Sequence, residues 1–146
     1  MSCVLRASGA DFDVDTFLNG SSLDALTVFR RGELQFTGSK IVSQYSGMNI
    51  SVSTREFSDL KGQIEDAVRF LSKHEEELRR LRDSQGLERM DLDFAIEERR
   101  AIFQSDSFPP DLLSLLGDSG RGLVVSRYPA HVQGEEGHLH PNPRDY

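Results

Sequence analysis

Paired carboxylates are the first side chains of this chain whose spacing could support chemistry. Asp91 and Asp93 stand two residues apart, and Glu97 follows on the same side of a predicted strand. Carboxylates on one side of a strand can share a hard cation or work as an acid–base pair. The alternative is a solvated sheet face, which exposed acids commonly form.

Histidines form a second group. His131, His138 and His140 lie close together near the C-terminus, and histidines two apart can bind zinc or nickel weakly. The same composition also fits an exposed tail without a role. His74 is the only other histidine, so the predicted folded part holds no nucleophile–histidine–acid set. This argues against a histidine-dependent hydrolase.

Cys3 is the only cysteine, which excludes an internal disulfide framework. A nucleophilic thiol needs a nearby base and a lowered pKa, and no neighbour in the sequence supplies them. We therefore expect Cys3 to be a small core residue. The segment 1–6 lacks a signal-peptide pattern, and no run approaches the ~20 apolar residues that span a bilayer. The sequence predicts a cytoplasmic protein that binds no membrane and no cofactor.

Hydrophobic periodicity predicts the elements that position these side chains. A period of two predicts half-buried strands, and spacings of three and four predict amphipathic helices. The longest helical pattern indicates one helix over about 54–84, which Ser53 and Glu56 would begin as a capping box. A coiled coil would be the alternative, but docking on a sheet of the same chain is favoured. The predicted strands are 2–7, 26–29, 41–53, 88–97 and 122–128, and the predicted short helices are 13–18 and 108–117.

This order favours an α+β fold. Strands with one polar face and helices with one apolar stripe predict a two-layer sandwich, with the helices on one side of an antiparallel or mixed sheet. The ferredoxin-like split arrangement is the simplest match, with an added short helix and strand. We predict a single α+β domain over 1–128. The segment 129–146 is rich in proline and histidine and poor in large apolar residues, which predicts a disordered tail.

Six polar side chains are predicted to share the sheet face away from the helices. The formal net charge is −7, and the two arginine clusters at 79–82 and 99–100 stand among acids. This balance argues against nucleic-acid binding, which usually needs a basic face, and is compatible with docking on a basic protein. Plain solvent exposure is the alternative for the polar face. The six candidate partner-binding residues are Arg6, Asn49, Ser51, Asp91, Asp93 and Ser126.

Several short motifs resemble a family of short bacterial proteins of unknown function. They are Cys3-Val4-Leu5-Arg6, Asp13-Val14-Asp15, Val28-Phe29-Arg30-Arg31-Gly32-Glu33, Asn49-Ile50-Ser51-Val52-Ser53, Leu92-Asp93-Phe94 and Phe108-Pro109-Pro110-Asp111-Leu112-Leu113. The resemblance covers about residues 2–128 and excludes the tail; its motifs mark structure, and no catalytic residue is carried over from the family. It also suggests immunity or accessory proteins that act beside toxins.

The sequence therefore favours a non-enzymatic module that binds another protein, with an immunity-type inhibitor or accessory protein as the suggested form. The alternative is a small-molecule or metal-binding domain, with or without enzymatic activity, that uses Asp91 and Asp93. A homodimer through the polar sheet face is a further possibility. No metal-ligating or catalytic residue is assigned.

Overall fold

Five strands form a mixed sheet in the computed structural model, which describes residues 1–35 and 37–129. The sheet order is β2-β3-β1-β4-β5. Neighbouring strands are antiparallel except for β4 and β5, which are parallel. Parallel strands need a crossover, and a helix between β4 and β5 supplies it. The strands are β1 (Cys3–Gly9), β2 (Thr27–Phe29), β3 (Ser46–Ser53), β4 (Arg89–Glu98) and β5 (Gly122–Pro129).

In the described part of the chain, four helices build one core with a single face of this sheet. They are α1 (Val14–Asn19), α2 (Leu60–Lys73), α3 (Glu75–Arg82) and α4 (Pro110–Asp118). Along β1 every second residue is buried, as the strand period predicts. The predicted α+β class is therefore confirmed. The core includes Leu5, Met48, Ile50, Leu92 and Phe94 from the sheet and Phe17, Ala67, Leu71, Leu78, Leu81, Leu112 and Leu116 from the helices.

The single helix predicted over 54–84 is wrong at its start. The N–H of Asp59 donates to the carbonyl of Glu56 at 3.0 Å, so the chain makes a tight turn there, and the carbonyl of Phe57 accepts the N–H of Glu97 on β4 at 3.0 Å. The helix begins later, where Asp59 Oδ1 accepts the N–H of Gly62 at 2.9 Å. Ser53 forms no capping box with Glu56: its hydroxyl accepts the N–H of Arg55 at 3.2 Å and donates to Asp66 Oδ2 at 2.9 Å.

The predicted helix is also interrupted at His74, which has φ −109° and ψ 23°. His74 ends α2 and begins α3, and its ring lies 4.8 Å from the Phe70 ring. In the sequence this histidine occupies the one polar position of the apolar stripe. The three glutamates that follow it, 75–77, favour a new helix start because acids stabilise a helix N-terminus. The chain thus bends there while both helices keep their apolar sides in the core.

Other boundaries moved less. Asp13 caps α1 as expected, accepting the N–H of Thr16 at 3.0 Å. The strand predicted over 41–53 begins only at Ser46, and before it an isolated bridge joins Leu34 to Val42. The predicted tail lies outside the described residues from 130 onward. Within the described ranges, no helix has the length and apolar character that crossing a membrane requires.

Candidate functional site

The six predicted residues lie on one face of the sheet, which we name the open face because the core packs against the opposite one. Arg6 stands between Asn49 on β3 and Asp91 on β4 in the strand register. The next row pairs Ser51 with Val4 and Val4 with Asp93, while Ser126 on β5 stands beside Ala95. The strand alternation read from the sequence therefore brings all six together.

Asp93 is the centre of this face, but it is not open to solvent. Arg6 donates from Nε at 3.0 Å and from Nη2 at 2.7 Å to Asp93 Oδ2. Ser126 Oγ donates to Oδ1 at 2.8 Å. The side chain of Asp93 is 4% exposed and that of Arg6 is 31% exposed. The expectation of a solvated Asp93 is wrong, because both oxygens are covered by these donors. Asp93 offers a partner no surface and instead fixes Arg6 in place.

Asp91 and Asn49 on the open face are also held by neighbours. Asp91 Oδ2 accepts from Arg89 Nη2 at 2.9 Å. A Cβ at Gly122 would lie 2.1 Å from Asp91 Oδ1, so this carboxylate rests directly over the glycine. Asn49 Nδ2 donates to Thr27 Oγ1 at 2.9 Å. The face is thus a surface of mutually fixed polar groups.

The metal alternative finds no support in this arrangement. Asp91 and Asp93 project from the same face, but each carboxylate is paired with an arginine. Over residues 1–35 and 37–129, no three His, Cys, Asp or Glu side chains are grouped so that they could hold a metal ion. His131, His138 and His140 lie outside the described residues.

Cys3 is a core residue, as expected. It is fully buried, and its burial together with the Asp93 and Asp66 carboxylates raises the pKa of the thiol far above its usual range. A thiol that stays protonated is a poor nucleophile. Cys3 therefore contributes packing to the site region and no covalent chemistry.

Sequence reasoning missed a groove beside the end of β3, which we name the β3 groove. It is a cavity of about 410 Å³ between this strand and α2. Its charged residues are Asp66, Arg69 and Lys73, and Phe70 and His74 form an aromatic wall. The strand side consists of Ser51, Val52, Ser53 and Thr54. The sequence held one signal for this groove. The predicted strand that ends at Phe29 is much shorter than the predicted strand over 41–53, so it cannot pair along all of β3.

Comparison with known proteins adds no assignment. No family model matches the chain, and no curated protein or solved structure is significantly similar to it. The resemblance to short bacterial proteins therefore stays a prediction. What the chain does has to be inferred from its own surfaces.

Proposed function

We propose that this chain is a non-enzymatic module that binds another protein. The observation that carries the proposal is the tip of the loop between β4 and α4. Ile102 is 104% exposed and Phe103 is 81% exposed, so two large apolar side chains stand almost entirely in water. Aromatic side chains of this kind are the usual anchors of protein interfaces, where they fill pockets of the partner.

The loop that presents them is held at its base. Arg99 Nη2 donates to Asp106 Oδ1 at 2.7 Å, and the backbone N–H of Arg99 donates to Gln104 Oε1 at 2.9 Å. Gln104 Nε2 in turn donates to Asp106 Oδ2 at 2.9 Å. These bonds fix both ends of the tip, so its shape is preset before a partner arrives. Preorganisation lowers the entropy cost of association.

The open face is the second surface that we assign to partner binding. Arg6 is held by Asp93 with part of its guanidinium in water, and arginine is enriched among residues that dominate binding energy. Asn49, Asp91 and Ser126 would stand near it as fixed hydrogen-bonding groups, with the Ser51 hydroxyl on the same face. The same face is also the surface through which a homodimer would form.

Finer parts of the proposal concern fold, family and location. The order β2-β3-β1-β4 with antiparallel neighbours supports a ferredoxin-like split arrangement, to which α4 and β5 are added. Membership of a family of short bacterial proteins, an immunity-type or accessory role and a cytoplasmic location rest on the sequence alone. They are proposed on that basis.

Affinity capture with matched variants tests the proposal. We expect a specific protein to bind the wild-type chain, and the variant Ile102→Ser/Phe103→Ser to lose it. Leu34→Ser is the control, because Leu34 is also an exposed apolar residue, 58% exposed, in a different loop. Asn49→Arg tests the open face in the same way, and light scattering tests the homodimer.

Two results would overturn the protein-binding proposal. One is a monomeric wild-type chain that captures no specific protein. The other is a captured protein that all three variants retain equally, since its binding would then involve neither surface. If Leu34→Ser keeps the captured protein and Ile102→Ser/Phe103→Ser loses it, the result supports the loop tip as a binding surface but does not test the open face.

A further inference from the structure

One edge of β3 is unpaired at Ser51, beside the β3 groove; beyond it the register shifts, and the carbonyl of Ser53 accepts the N–H of Ser2 at 2.9 Å. β2 covers β3 only from Gly47 to Asn49. The carbonyl of Asn49 accepts the N–H of Leu26 at 2.8 Å, so the backbone of Asn49 faces the β2 side. In an antiparallel strand, every second residue directs its N–H and C=O to the same side. Ser51 therefore faces this edge too, and within 1–35 and 37–129 its backbone has no partner there.

The helix wall of the groove is cationic. Lys73 forms no ion pair with any acid of the described residues. Arg69 is 70% exposed, and its Nη1 lies 3.2 Å from Asp66 Oδ1. Asp66 is the only acid that lines the groove among residues 1–35 and 37–129, and Arg55 Nε also binds it at 3.2 Å. The cations of the groove thus outnumber its acid, although the whole chain has a formal net charge of −7.

An unpaired strand edge facing a helix wall fits an extended peptide better than a compact ligand. A peptide gains affinity by adding its backbone to the edge, and its alternate side chains enter the space beside the strand. Phe70 and His74 offer rings 4.8 Å apart to one such side chain. Lys73 and Arg69 favour an acidic ligand, since Lys73 has no acid partner in the described residues and Arg69 shares Asp66 with Arg55.

We propose that the β3 groove binds an extended acidic peptide segment of a partner protein, which adds as a strand beside Ser51. Its carboxylates meet Lys73 and Arg69, and its backbone replaces the β2 neighbour that this part of β3 lacks. The inference rests on the proposed protein-binding function, but it concerns a different surface from the loop tip.

Selection from a random heptapeptide library displayed on phage tests the proposal. We expect the selected peptides to be rich in Asp and Glu. For one selected synthetic peptide, Lys73→Glu and Arg69→Glu should each weaken binding at least tenfold in fluorescence anisotropy. Lys61→Glu is the matched control, because Lys61 lies on the same helix but outside the groove and is 90% exposed. This variant should change the affinity less than twofold.

A peptide N-methylated at alternate residues tests strand addition separately from charge. Methylation should abolish binding in one of the two alternate patterns, because one pattern removes the N–H groups that face β3. The proposal is overturned if the library yields no acidic consensus, if Lys61→Glu acts like Lys73→Glu, or if both methylated peptides bind normally. If Ile102→Ser/Phe103→Ser loses a captured protein while the library yields no acidic consensus, the proposed function stands and this inference fails. If acidic peptides bind as described but the chain captures no protein, the groove inference stands and the proposed function fails.

Discussion

Removing the guanidinium of Arg6 should expose how strongly the open face depends on the ion pair with Asp93. The variant Arg6→Met keeps most of the side-chain length but leaves a carboxylate that is 4% exposed without its counter-ion. Breaking a fully buried pair in this way costs about 3–5 kcal/mol. Arg6 itself is 31% exposed and Ser126 still donates to Asp93, so we expect about 2–3 kcal/mol.

Urea unfolding followed by circular dichroism measures this loss of unfolding free energy. Arg79→Met is the control, because Arg79 pairs with Glu75 at 2.8 Å on the surface of α3, where the two side chains are 55% and 65% exposed. Such a pair contributes only about 0.3–0.5 kcal/mol. Adding Asp93→Asn to Arg6→Met should recover part of the loss, because a neutral amide needs no counter-ion. We expect a coupling of about 1–2 kcal/mol between the two sites.

A clear result would refute this reasoning. If Arg6→Met destabilises the chain no more than Arg79→Met does, Asp93 must reach water without its arginine. The coupling between the two sites would then be close to zero. The open face would be a set of independent solvated side chains, and the role given to Asp93 in fixing Arg6 would be wrong.

Three further predictions concern other parts of the chain. Gly86→Ala should lower the unfolding free energy by more than about 2 kcal/mol, because Gly86 has φ +79° and an added Cβ would lie 2.2 Å from the Asp11 carbonyl oxygen. Gly32→Ala is the control and should cost about 1 kcal/mol, because Gly32 has φ +89° but an added Cβ would meet no atom within 4 Å. The hydrogen bond from Arg55 lowers the pKa of Asp66, so its contribution to stability is present above the usual aspartate pKa of about 3.9 and is lost as pH falls through the lowered native pKa. Unfolding curves of wild type and Asp66→Asn should therefore differ at pH 7 and converge at acid pH. Cys3 should react with a thiol reagent only as fast as the chain unfolds, because it is fully buried and its thiol pKa is raised.

The strands were predictable because one face of each is buried. Met48 and Ile50 alternate with polar neighbours, and this alternation predicts which side chains contact the helices. Both residues are buried in β3. The same alternation placed the six open-face residues together. It could not show that Asp93 is enclosed, because its arginine comes from a strand 87 positions away in the chain.

The long helix was mispredicted for a different reason. Apolar spacing of three and four continues through Phe57, but this residue lies in a turn and its carbonyl accepts the N–H of Glu97 on β4. A backbone hydrogen bond to a strand that comes later in the chain overrides the local preference for helix. The interruption at His74 was visible as a gap in the stripe, although a gap does not reveal whether the backbone bends. Periodicity thus predicts which side chains are buried better than it predicts where a helix begins.

The β3 groove shows why formal net charge is a poor guide to the ligands of an acidic chain. At physiological ionic strength the screening length is about 8 Å, so acids elsewhere on the surface act only weakly on a ligand inside the groove. Lys73 and Arg69 line the groove and dominate the field there, and Asp66 is already paired with two arginines. A charge reversal at Lys73 must then weaken an acidic peptide far more than the same reversal at Lys61, although both change the net charge equally. If the two reversals have the same effect, the peptide responds to the charge of the whole chain and the groove does not select it.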